Sequence, residues 1–177
     1  MVEMPPVAFD GPITIVETAE QLDSALADLC AHPLVGFDTE TKPSFKKGCV
    51  NKVALMQLST DTHNYLIRLN KLGIPAALRA FLENPAVTKV GLSVHDDFSV
   101  MRRTEPLEPQ GFVELQHYVR DFCISDSSLQ KIYAIVFGQR ISKKQRLTNW
   151  EADKLTPQQQ AYAALDSWAC LHIYRYL

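Results

Sequence analysis

Glycine is scarce in this sequence, and the glycines present form no phosphate-binding loop. Only 7 of the 177 residues are glycine, and they are not clustered, so neither a dinucleotide fingerprint nor a P-loop is present. The four cysteines form no CxxC pair, which argues against a zinc clip or a disulfide framework and fits a reducing environment. The glycines and cysteines therefore indicate neither a nucleotide-binding loop nor a zinc or disulfide site.

Long apolar runs are also missing. No stretch approaches the roughly 18 apolar residues that a membrane-spanning helix needs, and the amino terminus lacks the pattern of a signal peptide. We therefore predict a cytoplasmic protein with no membrane association. The length fits one domain. We expect an irregular lead-in over residues 1–11 and a single domain over residues 12–177.

The order of the predicted elements indicates the fold class. The β-branched run Ile13–Val16 predicts a first strand, and three runs within Leu34–Leu69 predict an antiparallel meander. Helical spacing dominates afterwards, ending in a long helix that starts near Thr156. Strands early, helices late and a strand–helix unit between them predict an α/β fold, with a mixed β-sheet flanked by α-helices.

Two acids stand at the end of an apolar strand. Asp38 and Glu40 are two positions apart, so they share one face of the predicted strand. Two like charges this close repel each other unless a cation lies between them. The alternative is a strand that simply runs out into solvent.

Another acid lies within the apolar stripe of the last helix. Helical spacing places Tyr162 and Asp166 one turn apart on the face that also carries Ala169 and Ile173. A buried aspartate is costly unless it is paired or bound to a cation. The alternative is a Tyr–Asp hydrogen bond that serves structure alone.

A third acidic position lies on a middle helix. The stripe formed by Val94, Phe98 and Met101 places Asp97 at its edge and Asp96 near the opposite, solvated side. Both could instead be ordinary acids at a helix N-terminus, where the dipole favours them. If the four candidate acids meet, their oxygen ligands suit two Mg²⁺ or Mn²⁺ ions, an arrangement that promotes in-line attack on a phosphodiester.

Three motifs carry a family resemblance. The chain resembles the DEDD superfamily of exonucleases, tyrosine subgroup, which includes ribonuclease D and the exonuclease domain of the Werner syndrome helicase. The motifs are FDTET at Phe37–Thr41, KVGLSVHDDFSVM at Lys89–Met101 and YAALD at Tyr162–Asp166.

The resemblance implies a ribonuclease H-like fold and a two-metal 3′→5′ exonuclease. Such an enzyme would release nucleoside 5′-monophosphates from the 3′ end of DNA or RNA. It implies that Tyr162 hydrogen-bonds the attacking water and that two divalent cations, Mg²⁺ or Mn²⁺, are held by Asp38, Glu40, Asp97 and Asp166. A non-catalytic nucleic-acid-binding module on the same fold is the alternative.

Basic residues are clustered locally although the net charge is −2. Gln139–Arg146 contains four basic side chains, and Lys46 and Lys47 follow the first acidic motif. These groups could contact a phosphate backbone or could form solvated loops. Candidate substrate-binding residues are Thr39, Lys52 and Arg146. A protein partner could deliver the substrate, and the oligomeric state, like the choice between DNA and RNA, is left open.

Overall fold

The computed structural model describes residues 3–177, so Met1 and Val2 of the predicted lead-in lie outside the described residues. Its strands are β1 (Ile13–Val16), β2 (Leu34–Thr41), β3 (Val53–Ser59), β4 (Asn64–Arg68), β5 (Thr88–Gly91) and β6 (Phe112–Glu114). Its α-helices are α1 (Ala19–Leu29), α2 (Leu69–Leu72), α3 (Ala76–Leu82), α4 (Val94–Met101), α5 (Leu115–Tyr118), α6 (Leu129–Phe137) and α7 (Pro157–Tyr176).

The six strands form one mixed sheet in the order β1-β4-β3-β2-β5-β6. β2, β3 and β4 pair antiparallel, which confirms the predicted meander. β1, β5 and β6 each pair parallel to a neighbour, as expected where helical connections cross over a sheet. β2 therefore lies at the middle of the sheet, between an antiparallel and a parallel partner.

Helices cover both faces of this sheet. α1, α3 and α4 pack on one face in a core that includes Phe37 and Leu58. α7 packs on the opposite face of β2, β3, β4 and β5, and α5 and α6 extend that layer. A mixed sheet between helices confirms the predicted α/β class. No helix among residues 3–177 has the length and apolarity to cross a membrane.

Gly36 allows α7 to lie directly against β2. A Cβ atom at this position would come within 2.0 Å of the Ser167 carbonyl oxygen, a distance that no side chain tolerates. The missing side chain lets the helix backbone approach the strand two residues before Asp38 and one residue after Asp166. This contact therefore sets the spacing between two of the predicted acidic residues.

The last helix is buried more widely than one stripe. Thr156 and Gln159 form a capping box and Pro157 stands in the first turn, as the sequence predicts. Buried residues then occupy most of the circumference from Gln159 to Ile173. The predicted stripe of Tyr162, Asp166, Ala169 and Ile173 is buried, and the helix is also covered from other sides by α6 and by the segment around Trp150.

Candidate active site

Three of the predicted acids meet where α7 lies on β2. Asp38 and Glu40 project from the same face of β2, as strand alternation requires, and Asp166 reaches them from the middle of α7. One carboxylate oxygen of each lies within 4.8 Å of the other two. Within residues 3–177, this is the only group of three histidine, cysteine, aspartate or glutamate side chains close enough to share a metal ion. We call these residues the acidic cluster.

Burial and mutual repulsion make the acidic cluster costly to ionise. Burial, followed by the charge of Asp166, raises the pKa of Asp38 well above its usual 3.8. Burial and the charge of Asp38 likewise raise the pKa of Glu40. Burial raises the pKa of Asp166 to about 7, and its Oδ1 is buried with no hydrogen-bond partner in the described part of the chain. A cation between these groups would relieve both costs.

Asp97 approaches the same region from the α4 face of the sheet. β5 pairs with β2 only at Leu34–Gly36, so the acidic end of β2 has a free edge on that side. α4 begins shortly after β5 and fills this space. Thr39 points away from the Asp38 side, and its hydroxyl donates to Asp97 Oδ1 at 2.7 Å. Acidic side chains therefore lie against both faces of β2.

Asp97 is electrostatically coupled to the acidic cluster but lies outside it. Burial, followed by the charge of Asp38, raises the pKa of Asp97 to about 8. The stripe predicted on α4 is buried, and Asp96 is exposed beside it. The structure thus places three of the four predicted acids together and the fourth next to them.

Tyr162 lies one turn before Asp166 and is almost as deeply buried, with 8% and 6% of the two residues exposed. Its ring packs beside that of Trp150, with centroids 5.9 Å apart. Burial, followed by the charge of Asp166, raises the pKa of the phenol, whereas Arg146 acts in the opposite direction. The hydroxyl therefore keeps its proton at neutral pH and is a hydrogen-bond donor.

A cavity of about 300 Å³ opens onto these groups. Two basic residues, Lys143 and Arg146, line it together with the acidic cluster and Tyr162. Cys170 also lines it, but burial raises the pKa of this thiol, so it is no thiolate nucleophile. A larger cavity of about 470 Å³ between α2, α4 and the start of β3 contains none of the five predicted catalytic residues. Chemistry rather than size therefore identifies the site.

A match to a known protein family identifies the class of protein to which this chain belongs. Residues 13–177 match the family described as 3′-5′ exonuclease. The chain belongs to that family. Membership confirms the predicted resemblance and the predicted enzyme class, a nuclease hydrolase.

Individual relatives agree with this assignment. The exonuclease domain is 32% identical over 150 residues to the mouse "Bifunctional 3′-5′ exonuclease/ATP-dependent helicase WRN", covering 81% of this chain and 11% of the mouse protein. It is 30% identical over 167 residues to ribonuclease D of Acidiphilium cryptum, covering 92% of this chain and 41% of that protein. The chain therefore spans less than half the length of each of these two relatives.

Solved structures confirm the ribonuclease H-like exonuclease fold. The crystal structure of ribonuclease D from Escherichia coli superposes with a TM-score of 0.79 at 27% identity. The match covers 92% of this chain and 43% of the bacterial chain. The fold of the exonuclease domain is thus shared over nearly its whole length.

Two polar residues that were not predicted from the sequence contact the acids or the helix that carries Asp97. Gln57 is buried on β3 opposite Asp38, and its Nε2 donates long hydrogen bonds to Glu40 Oε1 at 3.4 Å and to the Ala163 carbonyl at 3.3 Å. It links β2 to α7. A glutamine inside the apolar run VALMQLS was the available signal.

Glu114 is the second of these residues. Its carboxylate accepts hydrogen bonds from the backbone N–H groups of Ser93 and Val94, both at 2.8 Å. Ser93 has a left-handed backbone, with φ 56°, which is uncommon for a residue with a side chain. Glu114 thus fixes the start of α4, one turn before Asp97. An acid at the end of the short apolar run that forms β6 was the available signal.

The three predicted substrate-binding residues lie in different surroundings. Arg146 and Thr39 line the cavity of the acidic cluster, although the Thr39 hydroxyl is engaged by Asp97. Lys52 is exposed directly before β3 and lines the larger cavity instead. Of the basic segment Gln139–Arg146, Lys143 and Arg146 line the cavity of the acidic cluster.

The donor atoms of the site fit a hard divalent cation. Every candidate ligand is a carboxylate oxygen, the type that Mg²⁺ and Mn²⁺ prefer, and no histidine lines the acid cavity to favour zinc. The unpartnered Asp166 oxygen gives such a cation a place to bind. The chemistry of the acidic cluster therefore suits a hard divalent cation.

Proposed function

We propose that residues 12–177 form a 3′→5′ exonuclease domain that hydrolyses phosphodiester bonds at the 3′ end of DNA or RNA and releases nucleoside 5′-monophosphates. The observation that supports this most directly is the convergence of Asp38, Glu40 and Asp166 beside Tyr162 in one cavity. Family membership over residues 13–177 supports the same activity.

In this proposal, Asp38, Glu40, Asp97 and Asp166 hold two divalent cations, Mg²⁺ or Mn²⁺. Such cations, when bound, lower the pKa of water and neutralise charge on the reacting phosphate. Asp38 and Glu40 offer ligands from one strand face, Asp166 closes the group from α7, and Asp97 contributes from α4. Gln57 holds the Glu40 carboxylate in place through its side-chain amide.

Tyr162 positions the attacking water in this proposal. Its raised pKa keeps the phenol protonated, so the hydroxyl acts as a donor to the water oxygen rather than as a base. The ring is held by packing against Trp150, which leaves the hydroxyl little freedom to turn away. A fixed donor lowers the cost of orienting the water at the reacting phosphorus.

Basic side chains around the acidic cluster hold the substrate in this proposal. Arg146 and Lys143 line the cavity and contact phosphates of the bound strand, while Lys52 contacts the strand farther from the reacting bond. Thr39 contacts the substrate from the cavity wall while its hydroxyl holds Asp97. Few basic groups line the cavity, so we propose that a protein partner assists substrate delivery.

The decisive experiment uses 5′-labelled single-stranded DNA and RNA of one sequence with Mn²⁺, Mg²⁺ or EDTA. The proposal predicts a ladder that shortens from the 3′ end, requires a metal and disappears in EDTA. Internal cuts would indicate an endonuclease instead. Intact strands in every lane would favour a non-catalytic binding module on the same fold.

A further inference from the structure

The loop between β2 and β3 concentrates positive charge at the end of the acidic strand. Residues 42–52, the lysine loop, contain Lys42, Lys46, Lys47 and Lys52 and no acidic residue. All four lysines are exposed, and none forms a salt bridge within residues 3–177. The loop begins two residues after Glu40. Unpaired positive charge therefore borders a site whose own acids repel phosphate.

The lysine loop is an ordered turn. Asn51 Nδ2 donates to the Lys42 carbonyl at 2.8 Å and closes the base of the loop. The Cys49 N–H donates to the Lys46 carbonyl at 3.1 Å, and Gly48 supplies the positive φ of 79° that this turn requires. These contacts limit the conformations of the loop.

Phe45 stands at the tip of this loop with 89% of its surface exposed. It is the most exposed of the large apolar side chains in the described residues, and Val50 of the same loop is also exposed. An aromatic ring in water beside unpaired lysines is the combination with which proteins bind single strands, because bases stack on rings and phosphates contact cations.

We propose that the lysine loop binds single-stranded nucleic acid on the 5′ side of the bond that is cleaved. Phe45 stacks on an unpaired base, and Lys42, Lys46 and Lys47 contact the phosphates around it. Base faces are available only in single strands, since a duplex hides them in its own stack. This inference rests on the proposed function, because the exonuclease site defines which end of the strand lies in the cavity.

Binding is measured by fluorescence anisotropy with 5′-fluorescein-labelled 12-nucleotide oligothymidylate and oligouridylate in EDTA, which prevents hydrolysis. We expect Phe45→Ala to weaken binding about tenfold and Phe45→Trp to restore it. Tyr176→Ala is the matched control, because it removes another exposed ring, 66% exposed, about 21 Å along α7 from Tyr162. This control should bind as the unmodified protein does.

Charge is tested separately with the double variant Lys46→Gln and Lys47→Gln. Each lost phosphate contact reduces the slope of log affinity against log salt by about 0.7 for a single strand, so the expected reduction is about 1.4. A blunt-ended duplex of the same sequence should lose no affinity when Phe45 becomes alanine.

Two results would overturn the inference: equal affinities for Phe45→Ala and the unmodified protein, or an equal loss on duplex and single strand. Failure of the loop and failure of the nuclease are distinguishable. If the unmodified protein cleaves in Mn²⁺ but binding is independent of Phe45, only the loop assignment is wrong. If binding depends on Phe45 but no cleavage occurs in any metal, the proposed activity is wrong and the single-strand surface stands.

Discussion

The two groups of acids in this site are held in different ways. Asp38, Glu40 and Asp166 lie on an eight-residue central strand and a twenty-residue buried helix, so the hydrophobic core fixes their positions. Asp97 lies on the short helix α4, whose start is fixed by hydrogen bonds to Glu114. Core packing therefore fixes the acidic cluster, whereas the position of Asp97 depends on the hydrogen bonds to Glu114 in addition to the buried stripe of α4.

The largest effect is expected from the acidic cluster itself. Asp38→Asn keeps the size of the side chain but removes a charge needed to bind cations, so nuclease activity should fall by about a thousandfold or more. The measurement is the rate of nucleotide release in Mn²⁺. Asp96→Asn is the matched control, because it changes an exposed neighbour of Asp97 on α4. Activity of Asp38→Asn close to that of the control would refute the metal-binding role.

A smaller loss is expected at Tyr162. Tyr162→Phe removes the hydroxyl but keeps the ring that packs on Trp150, so stability should change little. Loss of one positioned donor should lower the rate about a hundredfold. Single-turnover kinetics in Mn²⁺ and thermal unfolding of the same sample provide the two measurements. A rate equal to that of the unmodified protein would show that the water is oriented by other groups.

The parts of the site that the sequence could predict follow from local periodicity. Strand alternation places Asp38 and Glu40 on one face, and one turn of helix places Tyr162 and Asp166 together. The phase of α4 correctly separates Asp97 from Asp96, as its buried stripe shows. These relations span at most eight residues, so they hold before any tertiary contact is known.

The remaining parts depend on contacts between distant segments. The approach of α7 to β2 requires the missing side chain of Gly36, and Gln57 bonds to Ala163, 106 residues later. Glu114 contacts the start of α4 from 20 residues away. No local pattern encodes such pairings. The same reason explains why the sequence did not predict the additional buried sides of α7, which face elements that periodicity alone does not identify.

Changes at Glu114 test whether Asp97 depends on its polar support. Glu114→Ala removes the acceptor of two backbone N–H groups, so α4 should shift and activity should fall about tenfold, the equivalent of one hydrogen bond to a charged group. Glu114→Gln keeps one acceptor oxygen and should retain more activity. Calorimetry should show that Mn²⁺ still binds at the acidic cluster of both variants.

Two outcomes for the Glu114 variants would contradict this prediction. If core packing alone fixed the position of Asp97, both Glu114 variants would keep full activity. If Glu114 served the fold alone, the glutamine and alanine variants would lose activity only in proportion to their lowered thermal midpoints.

The smallest expected effect is a pH dependence of stability in the metal-free protein. The folded-state pKa of Asp97 is about 8 and that of Asp166 about 7, against a usual 3.8. Between about pH 4 and pH 8, the folded state therefore binds more protons than the unfolded state. The free energy of unfolding should therefore fall as the pH rises from about 4 to about 8. Urea unfolding in EDTA at pH 5 and pH 8 should differ by at least about 1 kcal/mol.

Substitution separates Asp97 from the acidic cluster in this measurement. Asp97→Asn removes one of the acids whose pKa is raised, so the fall towards pH 8 should become shallower. The fall below pH 7 should persist, because Asp166 still titrates there and the pKa values of Asp38 and Glu40 remain raised. Asp96→Asn should leave most of the fall in place. Saturating Mn²⁺ should reverse the trend, because a cation competes with the protons on these carboxylates and stabilises the folded state more as the pH rises. A pH profile unchanged by Asp97→Asn would mean that the pKa of this acid is not raised in the folded, metal-free protein and that the acid is already ionised at neutral pH.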